Sequence, residues 1–317
     1  MGSNLSFPEV EIPPDRTYIV TGGNSGIGYY TAKEIARMGG HVIIACRNMS
    51  KAETAIQQMQ EEYEKEFKEK QAKLQETERT EPKKLNVEKM ELDLASFEKT
   101  MKFIEEFKAR NCPLHCLICN AGILVKSKEM TEDGYEMSLQ ANYLSHLLII
   151  LHFLPILQKS GDDCRIVQTS SLSYRFGKLD MNNINYEQSF GTTSAYSNSK
   201  LYQIISMYWL TRHVKDKSVT TTSVHPGFVK TQMTQTNTFG RVFSAFTRNG
   251  YAGATTTIKA AIDPSYKGET GVYFSNCKIE PTTSYPKNVE RQDELMTYSF
   301  QVLDKYLPHD IKQYIDM

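Results

Sequence analysis

The stretch TGGNSGIG, Thr21 to Gly28, lies directly behind the apolar run RTYIV and directly ahead of a helical pattern opening at Ile27. A strand, a glycine turn and a helix in that order leave a chain few ways to fold. Glycine reaches backbone conformations closed to other residues and lets a ligand approach the main chain, while the following helix turns its N–H groups toward that ligand. On this reading Gly22 serves the tight turn, Gly26 the close approach of a pyrophosphate, and Gly28 the packing of helix on sheet. The spacing is GxxxGxG rather than GxGxxG, and the Gly-Lys-Ser/Thr ending of an ATP-binding loop is missing.

The alternation continues along the chain. Strand patterns fall at 17–21, 41–46, 85–92, 114–119, 165–169, 219–224 and 271–274, with helical patterns near 27–38, 51–76, 96–110, 133–158, 196–213 and 250–262. Short apolar strands separated by such helices predict a doubly wound parallel α/β sheet with helices on both faces. No linker or internal repeat divides the series. We read an N-terminal extension over 1–14 and a single domain over 15–317, with a variable substrate-side segment near 232–249. Residues 59–84 are charged and read as a helix prolonged into solvent by i to i+4 charge pairs, ending in a loop around Pro82.

Composition narrows the function classes. Lys and Arg number 37 and so do Asp and Glu, so no net field recruits nucleic acid. The six cysteines form no evenly spaced disulfide framework, and Cys112, Cys116 and Cys119 read as part of a buried strand and not as a metal site. The apolar run Leu147 to Leu157 is broken by His152 and Pro155 and is shorter than the roughly 20 residues that cross a bilayer, so a buried helix is expected and no transmembrane span. A secretory signal is not evident, which points to the cytoplasm. MGSNLS, with Gly2 and Ser6, fits an N-myristoylation signal, and one such acyl chain would give only reversible contact with the cytosolic face of a membrane.

Several strand ends point at one crevice. At the end of the second strand a dinucleotide site needs a carboxylate for ribose hydroxyls or a cation for a 2′-phosphate, and Arg47 supplies the cation. This favours NADP(H), with Asn48, Asn24 and Ser25 able to share the contact. After the third strand, Asp93 could accept from an adenine amino group beside Leu94, or could cap the helix opening at Ser96. After the fourth, Asn120, Ala121 and Gly122 form a small-residue turn able to lie against the cofactor ribose.

The chemistry follows downstream. Tyr196 and Lys200 in AYSNSK are four apart, hence on one helix face, where a lysine cation can lower the pKa of the tyrosine. RIVQTSSLS brings two hydroxyls to the end of the fifth strand, suited to orienting a carbonyl, and no GxSxG elbow suggests acyl transfer. A cradle, an orienting hydroxyl and a proton-transferring tyrosine are the parts that hydride chemistry requires.

From about residue 15 to 275 the chain resembles the classical short-chain dehydrogenase/reductase family, and so a Rossmann-like fold. In that resemblance TGGNSGIG, including Ile27, is the cofactor loop, and Asn120 to Gly122 the NAG motif. Asn142 in LQANYLSHL is the helix asparagine of the catalytic tetrad, and Tyr196 with Lys200 is the YxxxK pair. HPGFVKT carries Pro226, Gly227, Val229 and Thr231 over the nicotinamide and its phosphates. RIVQTSSLSYRFG, IIACRN and NYLSHLL are similar to the retinol dehydrogenase and WW-domain-containing oxidoreductase branch, which puts the functional hydroxyl at Ser171 and leaves Ser170 a backbone or packing contact.

The resemblance implies reversible hydride transfer between NADP(H) and an alcohol or carbonyl of a hydrophobic substrate such as a retinoid, a steroid or a lipid-derived aldehyde or ketone. Ser171 would orient the carbonyl, Tyr196 donate the proton, Lys200 depress its pKa, and Asn142 position Lys200 through a water. Tyr174, Phe176, Phe239, Phe243 and Phe246 are candidates to surround the substrate, or to pack a lid or the C-terminal segment. A homodimer is a further expectation. The alternative is a weakly catalytic nucleotide-binding scaffold that uses the charged segment to hold a partner.

Overall fold

The computed structural model describes residues 5–74, 80–227 and 250–316. Seven strands run parallel: β1 (Thr17–Thr21), β2 (His41–Cys46), β3 (Val87–Glu91), β4 (Cys116–Cys119), β5 (Cys164–Thr169), β6 (Val219–His225) and β7 (Val272–Ser275). A short β8 (Lys278–Glu280) closes the edge antiparallel, and the strand order is β3-β2-β1-β4-β5-β6-β7-β8. The expected strands are all present. The unforeseen β8 turns back through Asn276 and Cys277, both at positive φ as a tight two-residue hairpin turn demands.

Both faces of the sheet are covered. On one face lie α1 (Gly26–Arg37), α2 (Met49–Gln71) and α6 (Gly250–Ile262), burying Ile35, Ala52, Met59 and Ile258 against Val20, Val42 and Ile44. The other face carries α3 (Phe97–Ala109), α4 (Met137–Ser160), α5 (Thr192–His213) and a C-terminal α7 (Val289–Leu303), with Phe103, Leu148, Ile204 and Leu295 in one core with Ile19 and Ile43. Alternate residues of each strand thus feed two cores, which is why these strands read as continuous apolar runs.

One expectation is met by a longer element than the sequence run suggests, and a second is corrected. The helix around the apolar run Leu147 to Leu157 extends over 24 residues, so by length and composition α4 could cross a membrane; 89% of its most apolar window is buried inside the protein. The charged extension of α2 does not simply project into solvent. Buried Lys33 of α1 pairs with Glu62 at 2.9 Å and Glu66 at 2.7 Å, and Met59 is fully buried. Among the described residues, the bonds between side chains four apart along this helix are Gln58 to Glu62 and Gln60 to Glu64, amide to carboxylate and not charge to charge.

Candidate active site

The parallel sheet reverses its winding between β1 and β4, and the predicted cofactor residues gather at the carboxyl ends of the strands around that point, where such sheets open a crevice. Gly22 has φ +67° and its N–H donates to the Ala45 carbonyl at 2.7 Å, so the chain turns sharply off β1. A Cβ on Gly28 would lie 2.4 Å from the Gly22 carbonyl oxygen and 2.6 Å from Asn120 Nδ2. Only glycine lets α1 settle onto the turn. Ser25, the N-cap of α1, makes no side-chain capping bond and is exposed beside Asn24, so the helix opens toward the crevice with its first N–H groups uncapped by a side chain.

The same crevice receives the next strand ends. Arg47 is exposed after β2, and its guanidinium makes no ion pair with another described residue. Asn48 Oδ1 is spent on the Lys51 N–H at 2.8 Å as the N-cap of α2. Asp93 does not cap α3: Ser96 does, accepting from Lys99 N, while Asp93 accepts from Ala95 N at 3.2 Å and pairs with Lys99 Nζ at 3.4 Å. Leu94 is buried beside it. Its carbonyl accepts from Ser145 Oγ at 2.8 Å.

Thr21, which the motif reading left without a role, organises the turn after β4. Its hydroxyl oxygen accepts from the N–H groups of Asn120 and Ala121, each at 2.9 Å, and contacts His146 Nε2 at 3.0 Å. Asn120 Nδ2 donates back to the Thr21 carbonyl at 2.9 Å. His146 Nδ1 faces the Asn142 carbonyl at 3.1 Å, which only accepts, so Nδ1 carries hydrogen. Burial pushes the His146 pKa down to about 4, so the ring is neutral and Nε2 accepts the Thr21 proton.

Asn142 stands in a π turn, Gln140–Leu144, within α4. Its side chain accepts from Ile123 N at 2.7 Å and donates to the Ile123 carbonyl and to Ser199 Oγ, each at 2.9 Å. Ser199 Oγ in turn donates to the Tyr196 carbonyl at 2.8 Å, so Asn142 clamps the loop after β4 onto α5 at the tyrosine.

Tyr196 and Lys200 share one face of α5, with Nζ 5.6 Å from the ring centroid. Lys200 is buried and donates to the Thr169 carbonyl at 2.7 Å and to Gln203 Oε1 at 3.3 Å; burial lowers its pKa to about 7. Gly122 makes room for it, since a Cβ there would stand 3.2 Å from Nζ. Ser171 accepts from Ser173 N at 3.2 Å, and the nearby Ser171 hydroxyl acts to lower the Tyr196 pKa. Burial nonetheless raises the Tyr196 pKa, so the expected depression by Lys200 does not dominate. Ser170 is the packing contact foreseen, donating to the Lys200 carbonyl at 2.8 Å.

Gln203 links Lys200 to Asn142 directly: its Nε2 donates to the Asn142 carbonyl at 2.8 Å. Helical spacing, three residues beyond Lys200, was the available signal. Pro226 and Gly227, the latter with φ +85°, follow β6 at the rim, and His225 Nδ1 there accepts from Leu172 N at 3.2 Å. Val229, Thr231, Phe239, Phe243, Phe246 and Gly2 lie outside the described residues. Tyr174 does not line a pocket: it is 1% exposed, stacks edge-on against Tyr273, and its hydroxyl accepts from Thr283 N. Phe176 is 79% exposed.

A doubly wound sheet with a glycine turn at its crevice, and a serine, tyrosine and lysine converging beside it, defines the class of dinucleotide-linked oxidoreductases. The family model for short chain dehydrogenases matches residues 16–85 and 67–240, and the chain belongs to that family. It is 37% identical over 275 residues to the WW domain-containing oxidoreductase of Gallus gallus, covering 83% of this chain and 62% of that protein. It is 32% identical over 292 residues to retinol dehydrogenase 11 of Homo sapiens, covering 91% and 85%. Among solved structures, a short chain dehydrogenase from Salmonella enterica superposes with a TM-score of 0.62 at 22% identity, covering 83% and 96%, and shares the fold.

Proposed function

We propose that this chain is an NADP(H)-linked alcohol dehydrogenase or carbonyl reductase of the retinol dehydrogenase and WW-domain-containing oxidoreductase branch, acting on a hydrophobic retinoid, steroid or lipid-derived aldehyde or ketone. The observation that carries the reading is the placement of Tyr196 and Lys200 on one helix face, with Nζ 5.6 Å from the ring centroid and anchored on the Thr169 carbonyl at 2.7 Å. Identity to relatives of that branch over most of the chain supports the assignment.

The cradle fits a dinucleotide: the turn at Gly22 and Gly28 has no room for side chains, and the first turn of α1 has no side-chain cap. Residues 22–28 and 120–122 would hold its phosphates and ribose, Pro226 and Gly227 its nicotinamide end, and Arg47 a 2′-phosphate. Bound there, the nicotinamide supplies or accepts the hydride. Ser171 would hold the substrate oxygen through its hydroxyl, and Tyr196 would give up or take the proton at its phenolic oxygen. Lys200 would favour the phenolate by its charge, and Asn142 would keep the helix bearing Tyr196 in register with the crevice.

The test compares wild type with Tyr196→Phe for NADPH oxidation against retinal, steroid ketones, and aliphatic and aromatic aldehydes. Wild-type turnover falling by about a hundredfold or more is expected, since a positioned general acid contributes at least that much. Activity unchanged in the variant rejects the assignment.

A further inference from the structure

Lys200 carries three N–H donors, and two have fixed partners in the Thr169 carbonyl and the Gln203 side chain. Gln203 stands one turn further along α5 with no exposed surface. Which way its amide faces follows from chemistry: an ammonium only donates and so meets Oε1, whereas the Asn142 carbonyl only accepts and so meets Nε2. That carbonyl also accepts from His146 Nδ1, so both of its acceptor positions are engaged within the protein.

We propose that Gln203 is a positioning residue for Lys200, a neutral link that ties its ammonium to the Asn142 carbonyl so that α4 and α5 hold one charge between them. Its consequence for turnover rests on the reading of Tyr196 and Lys200 as the proton-transferring pair. With two donors fixed, the third is left for the crevice beside Gly122, the side on which a cofactor ribose would lie.

The link opposes burial, which disfavours the charged form of Lys200. The titratable groups facing Lys200 are Cys119 from β4, His146 from α4 and Tyr196 from its own helix. Burial raises the Cys119 thiol and the Tyr196 phenol and lowers His146, so all three are neutral near pH 7. None of them supplies the counter-charge. The Thr169 carbonyl and Gln203 Oε1 are the acceptors that sustain the ammonium, and only the second can be removed by changing a side chain.

Gln203→Met keeps the length of the side chain and removes both polar ends. Lysine labelled with carbon-13 at Cε, in cofactor-free protein, reports the Lys200 titration by NMR, with Lys200→Met assigning the signal. The midpoint is expected to fall by about one to two pH units in Gln203→Met, as loss of a hydrogen bond to a charged group requires. An unchanged midpoint in the folded variant overturns the proposal. Should the variant not fold, the wild type decides: the Gln203 side-chain amide should exchange with solvent far more slowly than that of exposed Gln57, and equal rates overturn the link. A Lys200 midpoint that shifts in Gln203→Met while turnover is unchanged in Tyr196→Phe would refute the proposed function and leave the link standing.

Discussion

Replacing Thr21 by valine keeps shape and β-branching and deletes one buried oxygen. The Ala121 N–H loses its acceptor and His146 Nε2 its donor, while the Asn120 N–H keeps the Ile118 carbonyl at 2.9 Å. Each polar group left unpaired costs about 1 to 3 kcal/mol, so with two such groups the variant should lose about 2 to 6 kcal/mol. That is a large part of the roughly 5 to 15 kcal/mol that holds a domain folded. Urea unfolding can be followed at Trp209, the single tryptophan, which is 4% exposed and stacked on His213. Thr31→Val is the matched control, because the Thr31 hydroxyl is equally buried on α1 and has no hydrogen-bond partner. Its midpoint should stay or rise. If Thr21→Val lies within about 1 kcal/mol of Thr31→Val at the same slope, the hydroxyl does not organise the turn after β4 and the argument fails.

Two further outcomes are expected. Arg47→Ala should lower NADPH affinity about tenfold to a hundredfold and leave NADH affinity nearly unchanged in fluorescence titrations, because a charge-assisted bond to a 2′-phosphate contributes about 1.5 to 3 kcal/mol and the exposed guanidinium has no described ion pair to break; equal affinities in the wild type would count against Arg47. Acid should destabilise the fold through His146, whose folded pKa of about 4 lies below the unfolded 6.5: the unfolded chain binds the proton first, so this stability is complete above pH 6.5 and is lost as pH falls toward 4, by about 3 kcal/mol. Urea midpoints that do not fall between pH 7 and pH 4.5 would contradict it.

What the sequence made legible was what obeys local periodicity. Strands β1 and β2 were readable to the residue because each is a buried apolar run bounded by turn residues, and the Tyr196 and Lys200 pair because helical spacing alone puts them on one face. Hairpin β7–β8 was missed because its turn is Asn276 and Cys277, without the glycine that usually marks such a turn. Helix α7 was missed because its buried positions, Leu295, Met296, Ser299 and Leu303, are interleaved with charge and include a serine. The extension of α2 has the charge pattern of a solvated helix whether or not a partner faces it. Its partner Lys33 lies 29 and 33 positions away from Glu62 and Glu66, a separation that periodicity does not report.

The site shows the same division on a smaller scale. Motifs identified the groups that would touch cofactor or substrate, while the groups that hold them are joined only by folding. From Thr21 at the mouth of the glycine turn, bonded contacts pass to His146, to the Asn142 carbonyl, to Gln203 and to Lys200, crossing from β1 through α4 to α5. Every member of that chain is buried, where an unpaired polar group is costly and a satisfied one fixes orientation. The cofactor crevice and the Tyr196 and Lys200 pair are therefore not two adjacent sites that happen to share an edge of the sheet. The Asn142 carbonyl fixes the His146 tautomer, whose bare Nε2 takes the proton of the hydroxyl that shapes the turn at Asn120, and the same carbonyl accepts from Gln203. A change at the glycine turn thus reaches the lysine through directional bonds, and perturbations at Thr21 and Gln203 should couple when combined.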